Sequence, residues 1–155
     1  MSEAKPVVLD TNIVLDMFVF DDAKTRPLKA ALTAALTATL KAASTVGDDQ
    51  WIATQPMRDE LERVLAYPHI AAKMAASQIE AAAVLVQFDR FARLEPVAAK
   101  APAICKDPDD QKFIDLAVLH KATLLSKDKA VLCMKKRLLG LGVIVRNAIT
   151  WEAKS

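Results

Sequence analysis

The sequence predicts an α/β protein with a parallel sheet covered on both faces. Two observations carry this. Short, wholly apolar runs alternate with segments of helical period, and the runs are too short for anything but strands. Only three glycines occur, Gly47, Gly140 and Gly142, so the glycine-rich phosphate loops of nucleotide-binding α/β proteins are excluded.

The elements follow in order. Val7-Val8-Leu9 reads as a buried strand, and a helical stretch begins at about Ile13. From Arg26 to Ala43, Leu28, Leu32, Leu36 and Leu40 recur every fourth residue and make one stripe on a helix. Trp51-Ile52-Ala53 is a second strand, and Thr54-Gln55-Pro56 is an N-cap-and-proline start for a helix with Met57, Leu61, Val64 and Leu65 on one face. Tyr67-Pro68 ends that helix, and Ser77 to Phe91 is a further strong one. Leu94 to Val97 reads as a short strand, placed at an edge by Pro96. Asp107-Pro108 opens a helix through Lys121. Thr123-Leu125 is a strand, Lys129 to Leu139 a helix, Val143-Val145 a last strand, and Trp151 sits on a short terminal helix.

The 155 residues suit one domain, 1-155, and suffice for a real core. Apolar residues make up 53% and charged residues 26%, which excludes a disordered chain. A net charge of +2 gives no bulk attraction to a polyanion, so any nucleic-acid contact must come from local clustering. Cys105 and Cys133 have neither disulfide-framework nor metal spacing, and a reducing cytoplasm is the simplest reading. Met1 to Pro6 lacks a signal pattern, and the longest apolar run, Ala81 to Val86, is far too short to span a bilayer.

The informative residues are acids. Asp10 follows the first strand in Leu9-Asp10-Thr11-Asn12, and Asp128 follows a later one in Ser126-Lys127-Asp128. Each precedes a helix, so each alone reads best as an N-cap. At about 100° per residue Glu60 falls beside Val64 and near Met57, at the edge of an apolar stripe. A carboxylate there must be paired or bind a cation; a salt bridge to Arg58 or Arg63 and a metal site fit it equally. In Cys105-Lys106-Asp107-Pro108-Asp109-Asp110-Gln111-Lys112-Phe113, Asp107 and Asp109 suit a cap and a first turn. Asp110 shares its face with Ile114 and Ala117 and points inward, whereas Asp115 lies opposite, towards solvent.

Four acids on two strand ends and two inward helix faces can converge above one sheet edge, where such sheets bind ligands. Carboxylates that close raise one another's pKa, and a divalent cation relieves the repulsion. Hard oxygen ligands without His or Cys suit Mg²⁺ (or Mn²⁺) rather than zinc. Such a site can polarise a phosphoryl oxygen and supply hydroxide for in-line attack.

With these residues in place, the chain resembles the PIN-domain ribonucleases, in particular the bacterial toxin components of type II toxin–antitoxin pairs (VapC-like). Val7 to Asn12, Met57 to Leu61, Cys105 to Phe113 and Ser126 to Asp128 carry the resemblance, which spans nearly the whole chain. It implies a three-layer α/β/α sandwich with a mainly parallel sheet of about five strands, and metal-dependent cleavage of RNA. It places the four family acids at Asp10, Glu60, Asp110 and Asp128, with Asp10, Asp110 and Asp128 on the metal and Glu60 completing the site. Thr11 and Asn12 shape the loop of the first acid, Ser126 supplies the hydroxyl before the last, and Asp107 adds an outer contact. An RNA substrate, a small antitoxin partner and a homodimer are further implications.

The remaining residues have plainer readings. His69 is isolated and His120 reads as packed core. Trp51, Trp151, Cys105 and Cys133 read as packing residues. The basic run from Lys127 to Arg137 is a solvated helix face, in which Lys127 and Lys129 flank an acid and could contact an RNA backbone. A haloacid-dehalogenase-like phosphatase also starts from a strand ending in Asp, but needs a second Asp where Asn12 stands. A catalytically silent PIN fold that binds RNA or a protein is the other alternative, and loss of an acid would mark it.

Overall fold

The computed structural model describes residues 6–42 and 50–147, and the side chains of all but 35–42 among them. Strand β1, Val7–Leu9, leads into helix α1, Thr11–Phe18; after a 3₁₀ turn at Ala23–Thr25 comes α2, Arg26–Ala42. Strand β2, Ile52–Ala53, precedes α3, Gln55–Leu65, then α4, Pro68–Ala76, and α5, Ala81–Phe91. Strand β3, Arg93–Leu94, is followed by a long connection and a 3₁₀ turn at Pro108–Asp110 that runs into α6, Gln111–His120. Strand β4, Thr123–Leu125, the short helices α7, Lys129–Leu132, and α8, Lys135–Leu139, and strand β5, Ile144–Arg146, complete the order.

All strand pairs are parallel. One sheet runs β1-β4-β5 and a second pairs β2 with β3. A parallel bridge between Val7 and Trp51, with Val7 N donating to the Gln50 carbonyl at 2.8 Å, sets β2 beside β1. The five strands therefore lie in the order β3-β2-β1-β4-β5, flanked by helices. Neighbouring residues of a strand face opposite sides, and Val7, Val8 and Leu9 are all buried, so both faces of β1 are covered. The order reverses direction at β1: the chain builds outward through β2 and β3, then returns to the other side with β4. A crevice forms at such a reversal, beyond the carboxyl ends of the two central strands.

Several boundaries differ from expectation, each for a local reason. Pro68 starts α4 instead of only closing α3, because proline is tolerated in a first turn. Gln78 takes a left-handed backbone, φ 58°, so the helix expected from Ser77 begins at Ala81. The expected helix from Lys129 to Leu139 breaks at Cys133 and Met134 into α7 and α8. The edge strand stops at Leu94, before Pro96, and the last strand is shifted by one residue to Arg146. Thr54 is the N-cap of α3, but its side chain makes no capping bond. Leu28 and Leu32 are buried as the stripe requires; the side chains of Leu36 and Leu40, and the whole of Gly47 and Trp151, lie outside the described residues.

The core is continuous across the sheet. Trp51 packs edge-on against Phe88, with ring centres 5.0 Å apart, and Phe18 stacks between Trp51 and Phe91 at 6.3 and 6.1 Å. These rings tie α1 to β2 and α5. Burying each of Trp51, Phe88 and Phe91 contributes roughly 1.5–3 kcal/mol, which holds the β1–α1 corner in place. Among the described residues no helix is long and apolar enough to cross a membrane.

Candidate metal centre

The register of β1 against β4 builds the site. Leu9 lies opposite Leu125, and Asp10 N donates to the Leu125 carbonyl at 3.0 Å, extending the ladder one step past the strand. Asp10 and Ser126 therefore leave the sheet side by side. Ser126, fully buried, donates from Oγ to Asp10 Oδ2 at 2.7 Å and accepts from Asp128 N at 3.0 Å. One hydroxyl thus links the two strand-end acids.

Both acids are also N-caps. Asp10 Oδ1 accepts from Asn12 N at 3.4 Å, and Asp128 Oδ1 accepts from Ala130 N at 2.9 Å. The cap reading and the metal reading are both satisfied, because a carboxylate has lone pairs to spare after one capping bond. The Asn12 contribution to this loop is its backbone N–H; its side chain is exposed, while Thr11 is buried.

The third acid arrives from the 3₁₀ turn that leads into α6. Asp107 caps the 3₁₀ turn by accepting from Asp109 N at 3.0 Å, and the turn delivers Asp110 inward, 6% exposed, while Asp109 stays in solvent. Asp10, Asp110 and Asp128 each place a carboxylate oxygen within 4.8 Å of the others. Asp110 Oδ2 is buried with no hydrogen-bond partner among the described residues.

The electrostatics follow from the crowding. Burial is the largest cause that pushes the Asp110 carboxyl up to about 8; a proton on it can bond to Asp128, and the charges of Asp10, Asp128 and Asp107 add to the rise. Burial also raises Asp10, against the lowering effect of the Ser126 and Asn12 hydrogen bonds, with Asp128 and Glu60 adding repulsion. Three oxygen donors, one of them unpartnered and buried, fit a hard divalent cation, which would replace the missing hydrogen-bond donor and hold all three carboxylates ionised.

Glu60 stands apart from this triad. It is close enough for its charge to act on Asp10, yet it does not join the three-carboxylate cluster. Its partner is neither Arg58 nor Arg63: Lys112 Nζ lies 2.6 Å from Glu60 Oε1, although off the line of a well-directed hydrogen bond, and Arg58 instead grips Asp89 with two bonds of 2.7 and 2.9 Å. The basic residue came from α6, two residues past Asp110 in the same phrase, where wheel arguments within α3 could not reach.

Other expectations change as well. Asp115 does not face open solvent. It is half-buried and accepts from Ala101 N and Gln111 Nε2, both at 2.8 Å. Gln111 is the hub of this region, accepting from Cys105 N at 2.7 Å and donating to the Ala103 carbonyl at 3.0 Å. It pins the loop that leads into Asp110, and its place in the Cys105–Phe113 phrase was the signal for it. Lys127 is not free for a ligand: its Nζ sits 2.6 Å from Asp16 Oδ2, beside a cavity of about 270 Å³ also lined by Asp22, Lys24, Thr25, Leu132 and Asn147. Asp16 was legible, since it lies three residues past Ile13 on the buried face of α1. Lys129 is exposed. His120 is half-buried, with Nε2 4.0 Å from Glu95 Oε1. Cys133 is exposed rather than packed, whereas Cys105 is buried.

Parallel strands in this order, with three carboxylates at the reversal point and a helix-borne acid beside them, define an α/β protein whose acidic cluster fits a metal ion. The family follows: the PIN domain model matches residues 6–130, and the chain belongs to the PIN domain family. No curated protein matches the chain.

Proposed function

We propose that the protein is a metal-dependent endoribonuclease, with Mg²⁺ or Mn²⁺ as its cofactor. The observation that carries this is the convergence of Asp10, Asp110 and Asp128 within 4.8 Å at the carboxyl ends of β1 and β4, on a fold whose family is generally nucleolytic. A divalent ion held there would supply positive charge to a phosphoryl oxygen and make water a stronger nucleophile. Everything else falls to the chain. Asp10, Asp110 and Asp128 hold the ion, and Ser126 keeps Asp10 and Asp128 aimed at it. Glu60, outside the triad and beside Lys112, accepts a proton from the attacking water in this reading. Asp107 and the backbone of Asn12 fix the two loops. Lys127 and Lys129 offer positive charge beside Asp128 for the strand's phosphates, Lys127 after leaving Asp16.

The resemblance of the Cys105–Phe113 phrase to the toxin branch supports a narrower role, as the toxin of a type II toxin–antitoxin pair acting in the cytoplasm, with a small antitoxin covering the acidic cleft and a homodimer as its assembly. The presence of all four acids disfavours a silent PIN fold.

The test is cleavage of a mixed-sequence RNA with Mg²⁺ or Mn²⁺. Activity that EDTA abolishes, and that Asp10→Asn and Asp110→Asn both lose, supports the nuclease; cleavage surviving in EDTA or in both variants defeats it. Co-expression with the product of an adjoining small gene, scored by growth rescue and co-purification, decides the toxin role.

A further inference from the structure

The two cysteines, 28 positions apart in sequence, meet at one atom. Cys105 Sγ lies 3.5 Å and Cys133 Sγ 3.3 Å from the same oxygen, the Ala130 carbonyl, to which both thiols donate. The sulfurs are therefore no further apart than those two distances end to end. Cys133 is exposed and Cys105 buried, so one thiol meets solvent and the other stands behind it.

The surroundings connect this pair to the carboxylates. Ala130 N supports Asp128 Oδ1, so the residue that receives both thiols at its carbonyl steadies a strand-end acid at its nitrogen. Cys105 begins the loop that Gln111 pins and that ends at Asp110. Cys133 is the C-cap of α7, its N–H donating to the Lys129 carbonyl at 2.9 Å, so it closes the short helix that Asp128 opens. A disulfide requires the sulfurs to close to about 2.05 Å. That movement draws the 105–110 loop and the end of α7 together and takes both thiols off the Ala130 carbonyl.

The geometry points to Cys105 and Cys133 as a peroxide-sensitive thiol pair whose disulfide disassembles the carboxylate cluster. The chemistry balances in two steps. The exposed Cys133 sulfur attacks a peroxide, ROOH; the O–O bond breaks, Cys133–SOH forms and ROH leaves. Cys105 sulfur then attacks the Cys133 sulfur, the S–O bond breaks, the disulfide forms and water leaves with the Cys105 proton. Two thiols lose two electrons and the peroxide gains them. The consequence for metal rests on the metal-centre reading above; the disulfide itself does not.

The full chain is treated with hydrogen peroxide at low protein concentration, then alkylated and weighed. The expected product is a monomer lighter by two hydrogens, with a Cys105–Cys133 cross-linked peptide, absent in Cys133→Ser and reversed by dithiothreitol. Titration with Mn²⁺ alone is expected to show affinity lower by about 10- to 100-fold in the oxidised protein, and unchanged by peroxide in Cys133→Ser. Amide exchange is expected to quicken at 105–110 on oxidation, a readout that needs no metal. A Cys133 sulfinate, a Cys133-linked dimer or two intact thiols overturns the pairing. A cross-link that leaves exchange at 105–110 unchanged overturns the switch. A reduced protein that binds no Mn²⁺ but forms the cross-link and loosens the loop defeats the metal reading and leaves the thiol pair standing.

Discussion

Ser126 Oγ donates to Asp10 Oδ2 at 2.7 Å across 116 positions of sequence, and the same oxygen receives the N–H of Asp128. Ser126→Ala leaves a buried carboxylate oxygen and a backbone N–H without this partner. It is expected to cost about 1–3 kcal/mol of stability, read by urea denaturation, and to lower Mn²⁺ affinity. Ser126→Thr keeps the hydroxyl and is expected to retain metal binding; equal loss in both variants would show that the hydroxyl is not what matters.

Removing the repulsion has the opposite sign. Asp110→Asn takes a crowded, buried carboxylate out of the metal-free protein and is expected to stabilise it by about 0.5–2 kcal/mol while abolishing metal-dependent cleavage. A melting temperature that falls with this variant would contradict the picture of a buried acid that must take up a proton to fold beside two other carboxyl groups.

The same acid sets a pH dependence. Its carboxyl sits at about 8 in the folded chain, against an ordinary 3.8. The folded state therefore holds a proton that the unfolded state has released between these values. The stability contributed is full below pH 3.8 and drains away as pH rises through 8, so metal-free protein weakens towards alkaline pH. Metal binding must expel that proton, so Mn²⁺ affinity is expected to climb up to about pH 8 and then level. Calorimetry in buffers of different ionisation enthalpy measures the proton released; a flat profile between pH 6 and 8, roughly, would contradict this.

Glu60 and the triad should part company in kinetics. Glu60→Gln is expected to lower kcat by about 10²- to 10⁴-fold with little change in Mn²⁺ affinity, because its carboxylate lies outside the cluster. Asp10→Asn is expected to lose the metal itself. Matching metal loss in both variants would put Glu60 on the ion.

Lys127 has two jobs to separate. Lys127→Ala strips the partner from Asp16, whose side chain is 9% exposed, and is expected to cost about 1–3 kcal/mol. Adding Asp16→Asn should recover most of that loss in a double-mutant cycle. RNA affinity is expected to stay low in the double variant, with the salt dependence shallower by about one charge; recovery of RNA binding would remove Lys127 from the RNA path.

Much of this was open to a reader of the chain alone. The apolar run Val7-Val8-Leu9 ending in Asp10, the cap-and-proline signal at Asp107-Pro108 and the inward position of Asp110 on its wheel are local, and local periodicity fixes which way a side chain faces. Such features gave the α/β class, the parallel sheet and the four acids worth watching, Asp10, Glu60, Asp110 and Asp128. What periodicity cannot supply is the partner on another element. The pairing of Glu60 with Lys112, of Lys127 with Asp16, of Asp115 with the Ala101 N–H and the meeting of two cysteines at Ala130 all join residues from different elements or from loops without a period. Only the tertiary packing decided them, as the strand register alone set Leu9 against Leu125 and brought Asp10, Ser126 and Asp128 to one edge; distance in space, not position in sequence, governs charge and hydrogen bonding.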